Sequence, residues 1–142
     1  RSHPMVDWHV RFVAWDSTRP PRDDATAVTR ALQAPPIATL DTNDLDLTWY
    51  APPKKAIPQA NVLTEATADV DLGPGPYLLR TIADDAVRVY IDDALVLSDW
   101  VPGESHVKEV RFDSAGRHHL RVVHLQLDGW YELRVDLERV SP

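Results

Sequence analysis

An alternation of apolar and polar residues, with a period of two, runs through much of this 142-residue chain. Successive side chains of a β-strand point to opposite faces of a sheet, so the pattern is typical of strands buried on one face and exposed on the other. It covers residues 8–14, 44–49, 67–72, 87–92 and 131–138. Many short antiparallel strands at this spacing predict an all-β fold, a sandwich or a barrel.

Turn-forming residues separate these segments and predict turns at 73–76, 92–94, 102–103, 114–116 and 128–129. One segment departs from the alternation, because Leu120 and Val122 lie on one parity whereas Val123 and Leu125 lie on the other. A β-bulge near Val122 would bring both sets to the same face.

Residues 20–33 have a helical pattern instead. Asp23 and Asp24 precede small and apolar residues at helical spacing, which predicts a short helix with acidic residues at its start. Pro35 and Pro36 are expected to end that helix. Further prolines within 52–58 predict a loop there, since proline cannot donate to a central strand's hydrogen-bond ladder.

The composition excludes several classes of protein. A formal net charge of −7 repels a phosphate backbone, so we expect no nucleic-acid partner. The absence of cysteine excludes disulfides, thiol catalysis and cysteine-based zinc sites. No apolar run approaches the ~18 residues of a membrane span, so we expect no membrane insertion. The length fits one domain, predicted over 6–140, with residues 1–5 interpreted as a cloning remnant.

Residues 75–100 read GPYLLRTIADDAVRVYIDDALVLSDW, with Asp84 and Asp85 at the centre and Asp99 and Trp100 at the end. Two further pieces follow in order, AGRHHLRV at 115–122 and DGW at 128–130. Together they resemble the signature of the protective-antigen-type domain family. The resemblance implies an antiparallel β-sandwich that closes partly into a barrel, here with a short helix near the N-terminus. It also implies a module found in secreted glycosidases, adhesins, flocculins and bacterial toxins.

The resemblance further implies a calcium site. In sugar-binding members, an Asp-Asp pair joined by a cis peptide holds one Ca²⁺, and the ion holds vicinal hydroxyls of a terminal sugar. Asp84 and Asp85 would be these ligands. Calcium takes six to eight oxygens, so another loop must contribute, and Asp128 is the candidate third ligand. Where those members often carry an asparagine and main-chain carbonyls, this chain has a short loop.

The sugar itself is expected to contact Trp130, Trp100, Asp99 and Gly129. An aromatic ring offers a flat apolar face to the C–H side of a sugar. Whether Trp130 is exposed depends on where the last strand begins, and the sequence leaves this open. The Asp84–Asp85 pair also fits a purely structural turn, and Asp128 fits a turn before a glycine.

Other assignments are simpler. Asp92 and Asp93 are interpreted as a hairpin turn, because Asp93 stands where the family often has a glycine with positive φ. Zinc is disfavoured, since the histidines that share one strand lack a third ligand at recognisable spacing; they are His118, His119 and His124. The tryptophans at 8, 15 and 49 are predicted to lie in the core.

We therefore expect a non-catalytic, calcium-dependent carbohydrate-recognition module from a larger secreted or surface protein. Its partners would be a glycan or cell-surface polysaccharide and other domains of the parent protein, and its location extracellular, cell-surface or periplasmic. Catalysis is not expected, because adjacent aspartates cannot flank a glycosidic bond. The alternative is a structural or protein-interaction module accessory to a neighbouring catalytic domain, such as a glycoside hydrolase, with no ligand of its own.

Overall fold

The computed structural model describes residues 3–16 and 25–140. These residues form eight strands and one helix, and every strand pairing is antiparallel. In chain order the elements are β1 (Trp8–Ala14), α1 (Ala25–Leu32), β2 (Ala38–Thr42), β3 (Asp46–Trp49), β4 (Val62–Asp84), β5 (Ala86–Ile91), β6 (Ala94–Asp99), β7 (His106–Gln126) and β8 (Tyr131–Arg139). The predicted all-β fold with a short N-terminal helix is confirmed. Asp23 and Asp24, expected at the start of the helix, lie outside the described residues.

Two long strands, β4 and β7, form the spine of the sheet and pair along almost their whole length. Beside the first half of β4 lie β1 and then β2, while β5 and then β6 extend the sheet beyond the second half of β7. Beside the second half of β4 lie β8 and then β3. The sheet does not close, and its two halves pack face to face as a sandwich over a shared core.

The predicted turns at 73–76 and 114–116 are wrong, because both segments lie inside the spine strands. The register between β4 and β7 shifts there, between Leu72 and Gly75, so the turn-like residues form an irregularity within a continuous pair. Gly75 has φ +142°, a backbone conformation that residues with a side chain rarely adopt, and a Cβ there would lie 2.9 Å from Arg139 Nε, so the position favours glycine.

The predicted bulge near Val122 is also wrong, since β7 keeps an unbroken register from Leu120 to Leu125 against both β4 and β5. Both faces of this part of β7 are buried. Leu120 and Val122 face the core between the sheet halves, whereas Val123 and Leu125 face a second core on the outer side. Two-sided burial, not a bulge, explains why apolar residues occupy both parities.

The second core lies beneath α1, which adds Val28 and Leu32 at an i, i+4 spacing. Arg11 of β1 holds the end of this helix, donating from Nη1 to the Leu32 carbonyl at 2.8 Å and from Nη2 to the Ala34 carbonyl at 2.7 Å. A cation at a helix C-terminus satisfies free carbonyls and favours the helix dipole. The helix therefore ends just before the prolines that were expected to stop it.

Aromatic side chains join the sheet halves across the main core. Trp49 of β3 stacks on Tyr131 of β8, with ring centroids 4.0 Å apart. Phe12 of β1 packs against Trp49 at 6.2 Å. Trp8 and Trp15 are buried and Trp49 is partly buried against the core, so the prediction of core tryptophans is confirmed.

The hairpin between β5 and β6 turns at Asp92 and Asp93, which have φ values of 50° and 66°. Two consecutive residues with positive φ match the turn type that fits the twist of a hairpin, which confirms the predicted turn. Asp92 also accepts a hydrogen bond from the His119 N–H at 2.8 Å, and this backbone donor lowers the pKa of its carboxyl.

Thr64 Oγ1 and the Tyr131 hydroxyl form a buried hydrogen bond of 2.6 Å. We expect this bond to add little net stability, but the loss of only one partner to be costly. Tyr131→Phe leaves the Thr64 hydroxyl without its partner in the core and should lower the free energy of unfolding by about 1–2 kcal/mol. Adding Thr64→Val removes both polar groups and should recover part of that loss. Urea unfolding of the two single variants and the double variant measures this, and equal, additive losses would contradict it.

Candidate functional site

A cleft of about 380 Å³ opens at one end of the sandwich, where β4 finishes. Three segments converge there on the end of β4: the turn after β3, the loop 100–105 between β6 and β7, and the loop 127–130 between β7 and β8. The cleft is lined by Tyr50, Asp84, Glu104, Ser105 and Trp130.

Asp85 ties two of these segments together. Its Oδ1 accepts a hydrogen bond from the Gly103 N–H at 2.9 Å, and its Oδ2 accepts one from the Leu127 N–H at 2.8 Å. The side chain is buried, so both bonds are charge-assisted in a region of low dielectric. The peptide bond between Asp84 and Asp85 is cis, as the family resemblance implies.

Asp84 faces the cleft although only 8% of the residue is exposed. The pKa of its carboxyl is raised to about 6, chiefly by burial and then by the charge of Asp85 and a hydrogen bond with it; His106 lowers the pKa and Asp128 adds a smaller increase. The ionised carboxylate is thus held where both solvent loss and neighbouring charges disfavour it. A bound cation would relieve this penalty directly.

His124 lies directly beneath the Asp84–Asp85 turn and is fully buried. Its Nε2 donates to the Asp84 carbonyl at 2.8 Å, and its ring packs edge-on against Tyr131. Burial lowers the pKa of His124 to about 4, so the ring is neutral at pH 7. The sequence suggested only a disfavoured zinc ligand here, whereas the structure gives His124 a role in supporting the turn.

Glu132 is the strand partner of Asp84 and is also buried. Its Oε1 accepts hydrogen bonds from the Ser105 hydroxyl and from Trp130 Nε1, the latter at 3.4 Å. Its Oε2 pairs with Arg134 Nε at 3.0 Å. The alternation along β8 predicted an exposed polar residue, so its role in holding Trp130 was not visible in the sequence.

Trp130 is half-buried and forms an aromatic pair with Tyr50. The ring centroids lie 4.6 Å apart and the ring planes meet at 58°, so the pair makes a corner beside Asp84. Tyr50 is 70% exposed, so its ring adds accessible aromatic surface to the cleft. Sequence reasoning missed Tyr50, which stands at the start of a proline-rich loop far from the family motif.

The other residues predicted to bind a ligand fall in different places. Asp128 and Gly129 are exposed beside the cleft, and their carbonyls accept hydrogen bonds from the buried Gln126 Nε2 at 3.0 and 3.1 Å. Trp100 lies against the second core with the Arg88 guanidinium over its ring. Asp99 is hydrogen-bonded to His106 Nδ1. The structure thus brings Trp130 to the cleft wall beside Asp84, but neither Trp100 nor Asp99.

Among residues 3–16 and 25–140, one set of three potential metal ligands has its ligand atoms within 4.8 Å of one another, namely His3, Asp136 and Glu138. Asp84, Asp85 and Asp128 do not form such a set. Of the strand histidines, His118 pairs with Asp92 and His119 with Asp69. No helix in the described part of the chain is long and apolar enough to cross a membrane.

By sequence, the chain matches no protein-family model and no curated protein. Its structure resembles the PA14 domain of the antifreeze protein MpAFP, with a TM-score of 0.75 and 12% identity over 98% of this chain and 86% of that one. The fold is that of the PA14 domain. PA14 is the short name of the protective-antigen-type domain. The fold expected from the motif at residues 75–100 is therefore confirmed.

Two further PA14-like structures are described by what they bind. A PA14 sugar-binding domain from an RTX adhesin matches with a TM-score of 0.74 and 15% identity, over 97% of this chain and 91% of that one. The A domain of epithelial adhesin 6 from Candida glabrata, in complex with Galβ1-3GlcNAc, matches with a TM-score of 0.69 and 13% identity, over 100% and 83%.

We expect Asp84 and Asp85 to affect stability in opposite directions. Asp85→Asn weakens two charge-assisted hydrogen bonds and should lower the free energy of unfolding by about 2 kcal/mol. Asp84→Asn removes a disfavoured charge and should raise the free energy of unfolding by about 1 kcal/mol at pH 7 in the presence of a chelator. Urea unfolding measures both, and a loss of stability in both variants would contradict the assignment.

The advantage of Asp84→Asn should also depend on pH. The folded-state pKa of Asp84 is raised from 3.8 to about 6, so the folded wild-type protein binds the proton more tightly than the unfolded chain does. The wild type consequently loses stability relative to the variant as pH rises through that window, and the difference is constant above it. A stability advantage of Asp84→Asn over the wild type that is largest at low pH would contradict this prediction.

Proposed function

We propose that this domain is a non-catalytic carbohydrate-recognition module that holds a glycan through a calcium ion. The observation that carries the proposal is the cleft itself, where a buried carboxylate with a disfavoured charge lies beside an exposed aromatic pair. The adhesin domains of the same fold support it, since one is described as sugar-binding and the other is in complex with Galβ1-3GlcNAc.

Asp84, Asp85 and Asp128 would hold the ion. Calcium prefers carboxylate and carbonyl oxygens, and this end of the sandwich offers both. The charges of Asp85 and Asp128 act on Asp84, which is the electrostatic condition that a cation relieves. Asp85 oxygens that already accept backbone N–H groups keep lone pairs for an ion. The bound ion would in turn coordinate sugar hydroxyls.

The sugar ring would pack on Trp130, with Tyr50 as the second wall. Glu132 fixes the indole N–H, which leaves the ring held in place before a ligand arrives. A preorganised aromatic wall adds buried area at a low entropic cost. Asp99, Trp100 and Gly129 are not assigned to this surface.

The same contacts favour binding over catalysis. A glycosidase needs two free carboxyl groups on opposite sides of the scissile bond. Glu132, the strand partner of Asp84, is engaged by Ser105, Trp130 and Arg134, so it is poorly placed to exchange a proton with a substrate, and the other carboxylate that lines the cleft, Glu104, lies in an exposed loop. We propose that the module acts extracellularly or at a cell surface, beside other domains of a larger protein.

Calcium should stabilise the purified domain. A ligand that binds only the folded state adds RT ln(1 + [L]/Kd), so the thermal midpoint should rise steadily from EDTA into millimolar CaCl₂. Asp84→Asn should abolish the rise, whereas Asp71→Asn, an exposed aspartate on β4 away from the cleft, should keep it. A thermal midpoint that does not change with calcium concentration would favour the alternative of a structural module with no ligand of its own.

Protons should compete with the ion. Asp85, His106 and Asp128 act on the Asp84 carboxyl, and Glu104, His124 and Glu132 lie beside it. With its pKa near 6, Asp84 must lose a proton to bind calcium below that pH. Apparent calcium affinity should then fall by up to about tenfold per pH unit below pH 6. Calorimetry at several pH values measures this, and an affinity that rises on acidification would oppose it.

Trp130→Ala should separate sugar binding from ion binding. Loss of the aromatic wall is expected to weaken glycan affinity by about tenfold or more, while the calcium-induced rise in midpoint persists. Leu95→Ala, which truncates an exposed apolar residue on β6, is the control and should change neither. Glycan-array binding followed by calorimetry on the strongest ligand measures the effect. An unchanged glycan affinity of Trp130→Ala would contradict the proposal that the sugar binds in this cleft.

A further inference from the structure

The cleft has an unusual charge for a site that binds neutral sugars. Its described lining contains two carboxylates, Asp84 and Glu104, and no lysine, arginine or histidine. Two basic side chains of β7 and β8, His106 and Arg134, are already engaged by other acidic groups. His106 is bonded to Asp99, and Arg134 pairs with both Glu132 and Asp46.

Glu104 is distinct from the proposed calcium ligands. It lies in the exposed segment 101–105 and lines the cleft, whereas Asp128 lies on the separate 127–130 loop. The backbone of its own loop is fixed by Asp85, through the Gly103 N–H. Neighbouring Ser105 is fixed by Glu132. A carboxylate is therefore held at the rim by contacts that do not use its charge.

The aromatic corner adds a second feature that favours a positive ligand. Tyr50 and Trp130 present two ring faces at 58° to one another, and both rings line the cleft with Glu104. Ring faces carry partial negative charge and attract ammonium groups, most strongly for tryptophan. Two inclined rings and a carboxylate form three sides of a site for a cation.

We propose that the preferred ligand is a sugar bearing a protonated primary amine, a glucosamine-type residue. Its ammonium group would lie between Glu104 and the Tyr50–Trp130 pair, while its hydroxyls face the ion. This inference rests on the proposed function and names the class of sugar. The net charge of −7 favours the same class, because it attracts cationic glycans and repels sulfated or carboxylated ones.

N-acetylation provides the test, because it removes the charge and keeps the rest of the sugar. Calorimetry in millimolar CaCl₂, slightly below neutral pH, compares a glucosamine oligosaccharide with its N-acetylated counterpart of equal length. The amine form should bind roughly three- to thirtyfold more tightly, as expected for one cation–π contact and one exposed ion pair. Added NaCl should reduce the preference.

Glu104→Gln is the variant that assigns the preference to the cleft. It should lower affinity for the amine form and leave affinity for the N-acetylated form unchanged. Asp71→Asn changes the net charge equally, at a site away from the cleft, and should preserve the preference.

The possible results separate the two proposals. Equal affinity for both sugars, or tighter binding of the N-acetylated one, would overturn the amine preference while leaving glycan recognition intact. A preference that survives Glu104→Gln would overturn the role of Glu104. Binding of neither sugar, or of any glycan on an array, by a domain that still responds to calcium would refute the proposed function itself.

Discussion

The buried carboxylate of Asp85 is the contact on which this end of the molecule depends. One side chain joins the loop after β6 to the loop after β7, through N–H donors at Gly103 and Leu127. Both loops supply walls of the cleft, Glu104 and Ser105 from the first and Trp130 from the second. Without that carboxylate the loops would need other partners for their backbone donors, and the cleft walls would lose their common support.

Asp84 and Asp85 are adjacent in sequence, but their carboxylates lie in different environments. Asp85 is satisfied by backbone donors, whereas Asp84 is held facing the cleft with its pKa raised to about 6. His124 supports the turn from below by bonding the Asp84 carbonyl, and its own burial keeps it neutral and unable to repel a cation. The interpretation as a structural turn and the interpretation as a ligand pair are therefore compatible, because Asp85 can anchor the two loops and still have lone pairs for an ion beside Asp84.

How much of this could be predicted from the sequence depends on the range of the interactions. Local alternation located β1, β5 and β8, and the motif around Asp84 predicted the fold class. The long strands β4 and β7 were missed, because a Gly-Pro-Gly-Pro segment has the composition of a turn but forms a register shift inside a paired strand. The outer core beneath α1 was missed because a strand buried on both faces loses its alternation.

The cleft illustrates the same limit at the level of single side chains. The sequence predicted both Trp100 and Trp130 as ligand-contacting residues. In the structure Arg88 lies over Trp100 against the second core, whereas Glu132 holds Trp130 at the cleft. Tyr50, Glu104 and Glu132 come from three segments that are brought together only because β3 pairs with β8 and both β7 and β8 pair with β4. Because such walls are assembled from separate segments, two domains of the same fold with the same Asp-Asp turn can present different surfaces to a ligand.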